Sequence, residues 1–166
     1  MTVFERALLR AGYAARFTEG FNPKPRLEFA SPLSLGLESE QEIAAVDLHD
    51  FDNESSFMER LNGGLPPGLR VTRAAIAHHE GTSRRRSLMS LYWGSDFEVE
   101  GETDGARTVR LAAGGPSIRK TLEARGAWET SRARRLKTWA AGQDGSPVSY
   151  FAALGPGDPA ASSALT

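Results

Sequence analysis

The sequence predicts an α+β fold: a ferredoxin-like βαββαβ unit with its first strand missing, followed by a smaller, β-rich α+β half. Three observations predict it. Residues 3–11 carry apolar side chains at helical spacing, and much of residues 27–48 alternates apolar and polar as strands do. The first elements then follow as α-β-β-α-β, without the regular strand–helix alternation of a parallel sheet.

Val3, Phe4, Ala7, Leu8 and Ala11 form the apolar stripe of the first helix, with Glu5, Arg6 and Arg10 outside it and Gly12 as its stop. Thr2 is its candidate N-cap. Tyr13, Ala15 and Phe17 then alternate with Ala14, Arg16 and Thr18, which predicts a strand. Gly20-Phe21-Asn22-Pro23-Lys24-Pro25 interrupts it. Two prolines flanking Lys24 make this loop stiff and aim the lysine in a fixed direction. Leu27 to Phe29, Leu33 to Leu37 and Ile43 to Leu48 read together as a long hairpin around the charged turn Glu38 to Glu42. Asp52, Asn53 and Ser55 are cap candidates for a helix through Phe57, Met58 and Leu61 that ends at Gly63-Gly64. Leu69 to His78 is then expected as a strand.

In the second half a strand around Phe97 and Val99 pairs with residues 108–112 across Gly101 to Gly105. Ser117 caps a helix from Ile118 to Arg125 that Gly126 stops. For residues 131–141 propensity favours helix, and a basic edge strand fits equally well. Gly, Pro, Ser and Ala dominate from Gly142 onward, so 142–166 is expected to be a disordered tail with Tyr150-Phe151 as its anchor. The expected domains are thus 1–80, a second half over 81–141 packed on the first, and the tail.

The chain has 166 residues and no cysteine, which excludes disulfides, Cys-ligated zinc, an iron–sulfur cluster of its own and thiol nucleophiles. No uncharged apolar run reaches the roughly 18 residues of a membrane span, and Glu5 and Arg6 stand where a signal peptide needs its apolar stretch. A cytoplasmic location is expected. The net charge of −1 hides an asymmetry: residues 84–137 hold 12 Lys/Arg against 7 Asp/Glu, and residues 1–83 hold 8 against 12. A basic middle points toward nucleic acid or an acidic partner.

FERALLRAG followed by FTEGFNPKPRLEFASPLSLGLESEQEIAAVDL resembles the radical-SAM-linked family, a bacterial domain of unknown function encoded beside a radical SAM protein or fused to one. ERLNGGLPPGLRV looks like that family's second helix and the turn after it, and SLMSLYWGSDFEVE and GGPSIRKTLEA resemble its second half. The resemblance implies a partner that carries the iron–sulfur cluster and S-adenosylmethionine, with no cofactor in this chain. Family members open with a strand and a Ser-His-Leu-Asp stretch before the first helix, so a reading frame extending upstream is expected.

The candidate anion or RNA contacts fall in four groups. Arg16, Asn22, Lys24 and Arg26 surround the stiff loop. Phe21 at its tip is expected to fold back onto the core, as turn aromatics mostly do, with stacking on a base as the alternative. Arg84, Arg85 and Arg86 form a basic run after Gly81-Thr82-Ser83. Arg132, Arg134, Arg135 and Lys137 lie near Trp128 and Trp139, an interleaving of cations and aromatics that suits single-stranded nucleic acid. Arg119 follows Gly114-Gly115-Pro116-Ser117 at a helix start, a generic anion cup or an ordinary cap. His78 and His79 are adjacent, so on a strand they point to opposite faces and cannot readily share a metal. No P-loop, nucleophile elbow or dinucleotide fingerprint is present, and no catalytic residue is assigned.

The expected function is therefore an accessory or substrate-recognition protein that works with a radical SAM enzyme and binds RNA. The alternatives are an RNA-processing enzyme using a His of the missing amino-terminal stretch, and a protein-binding adaptor.

Overall fold

A computed structural model describes residues 2–76, 86–101 and 105–154. It has the α+β class. The described residues fall into two compact units, one of residues 2–28 and 45–76, the other of 29–44, 86–101 and 105–154.

In the first unit, α1 (Val3–Arg10) opens on a capping box: the Thr2 hydroxyl accepts from the Glu5 N–H at 3.3 Å and the Glu5 carboxylate accepts from the Thr2 N–H at 2.5 Å. Its buried face is Ala7 and Leu8, continued by Ala11, whereas Val3 of the expected stripe is 47% exposed. Helix α2 (Glu54–Gly64) starts at Asn53, whose side-chain oxygen accepts from the Ser56 N–H at 2.9 Å, and buries Phe57 and Leu61. These four residues, with Ala11 and Tyr13, are the core of the unit, and Val46, Leu48, Leu65 and Val71 pack against it.

A polar cluster ties the two helices. Tyr13 donates to the Asp52 carboxylate at 2.7 Å, Ser56 donates to its other oxygen, and Arg60 lies 3.5 Å from it while its guanidinium covers the Tyr13 ring at 4.3 Å. The hydroxyl donors Ser56 and Tyr13 hold the Asp52 carboxyl well below the usual range, and burial raises the Tyr13 phenol.

Strand content in this unit is smaller than the alternation suggests. Residues 13–18 make single bridges only, Ala15 to Leu48 and Phe17 to Pro25. Pro23 and Pro25 lack the N–H groups a longer ladder would need. Residues 69–76 form no strand, because the Asn62 side-chain amide takes both backbone groups of Val71, accepting from its N–H at 2.7 Å and donating to its carbonyl at 2.9 Å. His78 and His79 lie outside the described residues. The long hairpin shrinks to a two-stranded sheet of β1 (Leu27–Phe29) and β3 (Ala44–Val46).

The second unit is built on a sheet. Strand β2 (Glu38–Ser39), α3 (Leu88–Leu91), β4 (Tyr92–Gly101), β5 (Gly105–Ala112), α4 (Ile118–Glu123), β6 (Ser131–Ala141), β7 (Pro147–Val148) and α5 (Tyr150–Ala153) follow in order. The sheet order is β2-β6-β4-β5, with β7 also on β6. Strands β4 and β5 pair antiparallel out to Gly101 and Gly105, as expected. Residues 131–141 are strand throughout, antiparallel to β4 and parallel to β2. Ser117 caps α4, which seals one face of the sheet with Ile118 and Leu122 against Phe97, Val99 and Ala133.

The expected tail departs from its composition. Residues 142–154 contain β7 and α5, and Tyr150 is 1% exposed with its hydroxyl donating to the Leu88 carbonyl at 3.0 Å. A buried tyrosine with a satisfied hydroxyl fixes a segment that Gly and Ser alone would leave loose. Residues 155–166 lie outside the described ones. Among the described residues no helix is long and apolar enough to cross a membrane.

Candidate nucleic-acid interface

The stiff loop is the tip of a short paired segment, residues 16–26, here called the arm. Thr18 and Lys24 close it: the Thr18 N–H donates to the Lys24 carbonyl at 2.8 Å and the Lys24 N–H to the Thr18 hydroxyl at 3.0 Å. Below them the Arg26 N–H donates to the Arg16 carbonyl at 2.7 Å, and the Arg16 N–H to the Asp47 carbonyl at 2.8 Å. Gly20 bends the chain into the tip at φ 126°, a conformation only glycine adopts without strain.

Arg16 and Arg26 serve this frame. Arg16 Nε donates to the Leu48 carbonyl at 3.1 Å, Arg26 Nε to the Phe17 carbonyl at 3.2 Å, and Arg26 faces the Asp47 carboxylate at 3.7 Å. Lys24 and Asn22 stay exposed with no side-chain partner among the described residues. Phe21 is fully exposed, at 110% of its reference surface, and Phe17 is 54% exposed. Phe21 therefore does not fold back onto the core. Leaving such a ring in water forgoes roughly 1.5–3 kcal/mol of burial.

The basic strand behaves differently. On β6, Arg132, Arg134 and Lys137 face Glu100, Glu98 and Asp96 of β4 directly across the ladder. Leu136 is an extra residue between the pairs Phe97–Arg135 and Asp96–Lys137, a bulge that keeps Lys137 on the face of Arg132 and Arg134. Arg134 reaches Glu98 at 2.5 Å and Glu40 at 3.0 Å. Arg132 is exposed with no partner among the described residues, yet it shares a cleft with Glu38, Glu98, Glu100 and Glu129. An acidic rim repels phosphate, so neutralisation across the strands removes the attraction that the sequence promises.

Burial takes Arg135 out of the candidate set. It is 4% exposed, donates to the Ser31 carbonyl at 2.8 Å and the Glu42 carboxylate at 2.9 Å, and stands over the Phe97 ring at 5.7 Å. Arg119 pairs with Glu123 at 2.7 Å along its own helix and covers the Trp128 ring at 5.2 Å, so the start of α4 reads as an ordinary cap. Arg86 is exposed ahead of α3, and Arg84 and Arg85 lie outside the described residues.

One cluster has no signature in the sequence because cross-strand register builds it. Arg110 of β5 grips Asp96 of β4 through two hydrogen bonds, 2.6 and 2.8 Å, and the Trp139 indole N–H of β6 donates to the same carboxylate at 2.9 Å. Arg110 and Lys137 each lie 5.5 Å from the Trp139 ring. The Arg110 hydrogen bonds hold the Asp96 carboxyl below its ordinary value, against burial, which raises it.

A folded pKa below the unfolded value of about 3.9 stabilises the protein above that pH, and the contribution is lost as pH falls through the folded value. Asp96 and Asp52 both have this sign. The urea midpoint is therefore expected to be flat between roughly pH 7 and 5 and to fall below about pH 4. Asp96→Asn should be less stable at neutral pH and lose less on acidification; a parallel pH profile for that variant would count against the assignment.

Among the described residues no group of three or more His, Cys, Asp or Glu side chains could hold a metal ion. No curated protein and no solved structure matches the chain. Residues 1–138, which include both helices of the first unit, the arm and most of β6, match the family described as "Uncharacterized protein conserved in bacteria (DUF2344)", and the chain belongs to that family.

Proposed function

We propose that this protein is a recognition subunit that binds RNA through the arm and works beside a separately encoded radical SAM enzyme. The observation that carries the RNA reading is Lys24, an exposed cation with no side-chain partner among the described residues, set between two prolines on a loop closed by its own hydrogen bonds. A preset cation loses little conformational entropy when it meets a phosphate. Three cations against the single acid Glu19 give residues 13–27 the opposite charge balance to the first 83 residues as a whole. The radical SAM partner rests on the family resemblance; it would supply the cluster and S-adenosylmethionine, for which this cysteine-free chain offers no thiolate ligands.

Titration of a labelled RNA oligonucleotide at about 50 mM and about 200 mM salt tests the RNA reading, because phosphate contacts release counterions and weaken with salt. Binding that falls with salt and weakens further in Lys24→Glu is the expected result; no binding at the lower salt overturns it. A tagged pull-down from native extract tests the partner, and a radical SAM protein retained after nuclease treatment is expected.

A further inference from the structure

We infer that the arm captures an unpaired nucleotide, with the Phe21 ring as the stacking surface for its base. The inference rests on the RNA reading above and deepens it. Phe21 is wholly in water, although the first unit has an apolar core on which a mobile side chain would gain by folding back. Its neighbours explain why it stays out: Gly20 turns the chain at φ 126°, and Asn22 is followed by Pro23. The backbone thus presents the aromatic to solvent before any ligand arrives.

The residues beside it select the ligand. Besides Pro23 and the half-exposed Phe17, the tip carries Asn22 and Lys24 next to Phe21, each free of side-chain partners among the described residues, and these polar groups are what a purely apolar protein-docking patch would lack. A ring, an amide and an ammonium within four residues match a base face, a base edge and a phosphate. A stacked A-form duplex offers no free base face to a single phenyl ring, so the arm should distinguish unpaired from paired RNA.

The full chain, as wild type, Phe21→Ala, Phe21→Trp and Lys24→Gln, would be titrated with a labelled single-stranded RNA 12-mer and with the same strand annealed to its complement. The Phe21 ring is wholly exposed and the Lys24 side chain has no partner among the described residues, so the variants should match the wild type by circular dichroism. Phe21→Ala is expected to weaken single-strand binding roughly 5- to 100-fold and to leave duplex binding within about two-fold. Phe21→Trp should retain affinity and show an emission change on binding beyond that of the native Trp93, Trp128 and Trp139. Lys24→Gln should lower the single-strand salt slope by about 0.7.

If the wild type binds neither RNA, the RNA reading itself fails and the stacking falls with it. If the wild type binds and Lys24→Gln weakens it while Phe21→Ala binds single strands normally, RNA recognition stands and the stacking role is overturned. Loss of the radical SAM protein from the pull-down by Phe21→Ala, with RNA affinity unchanged, overturns it in favour of protein docking.

Discussion

Gly94→Ala is expected to lower stability by about 3 kcal/mol, equivalent to a fall of roughly 6–12 °C in Tm for a chain of this length. Gly94 lies inside β4 and is paired on both sides, with Ala112 of β5 and Trp139 of β6. An added Cβ would stand 2.4 Å from the Leu111 carbonyl oxygen and 3.0 Å from the Ala112 Cα. Both are backbone atoms, so no rotamer change relieves the clash. The strand itself must move, which threatens the hydrogen bond from the Ala113 N–H to the Trp93 carbonyl at 2.7 Å. Gly101→Ala in the same strand is the control, since among the described residues its Cβ would meet only the Ser131 hydroxyl, at 3.8 Å. Thermal melts followed by circular dichroism read both variants. A Gly94→Ala melt within about 2 °C of wild type would show that the strands yield more easily than packed backbone should.

Arg135→Ala is expected to cost about 3 kcal/mol by a different route. The guanidinium fills the space between β6 and residues 31–42, where it joins the Ser31 carbonyl and the Glu42 carboxylate. Truncation leaves a cavity, strands the Ser31 carbonyl and removes the countercharge of Glu42. The native arrangement is itself imperfect, because Arg135 Nε is buried without a hydrogen-bond partner. A large apolar side chain of similar length should therefore do better than alanine. Arg135→Met combined with Glu42→Gln is expected to recover most of the loss, since apolar packing replaces a partly unsatisfied ion pair. Urea denaturation of the three proteins provides the comparison; a double variant no more stable than Arg135→Ala would mean that the charge, and not the packing, holds this region.

Local chemistry made much of the fold legible. Thr2, Asn53 and Ser117 are short polar side chains just ahead of apolar periodic runs, and all three cap the helices they precede. The β4–β5 hairpin was readable because its turn and its two strands are contiguous. Residues 131–141 were not, and Leu136 is the reason: the bulge breaks the two-residue alternation midway, so neither a helical nor a strand period fits the whole segment. The strand expected at residues 69–78 failed over 69–76 because the side chain of Asn62 competes for the Val71 backbone, a contact no periodicity records. Of the candidate interface, the arm was readable from its prolines. The fates of Phe21, Arg134 and Arg135 were not, since exposure and ion pairing are set by residues distant in sequence.

The parallel pairing of β2 with β6 matters for how the protein is made. Glu38 and Ser39 find their partners in Arg134 and Arg135, and Gln41 waits for the backbone of Thr138. During synthesis the segment between β1 and β3 leaves the ribosome early and has no strand to join until nearly all of the chain up to β6 has followed. At about 5–20 residues per second it stays unpaired for several seconds, with Leu37, which later packs on the core of the second unit, open to wrong partners. Glu38, Glu40 and Glu42 crowd that stretch, and their mutual repulsion keeps nascent copies from pairing with one another before the correct strand arrives.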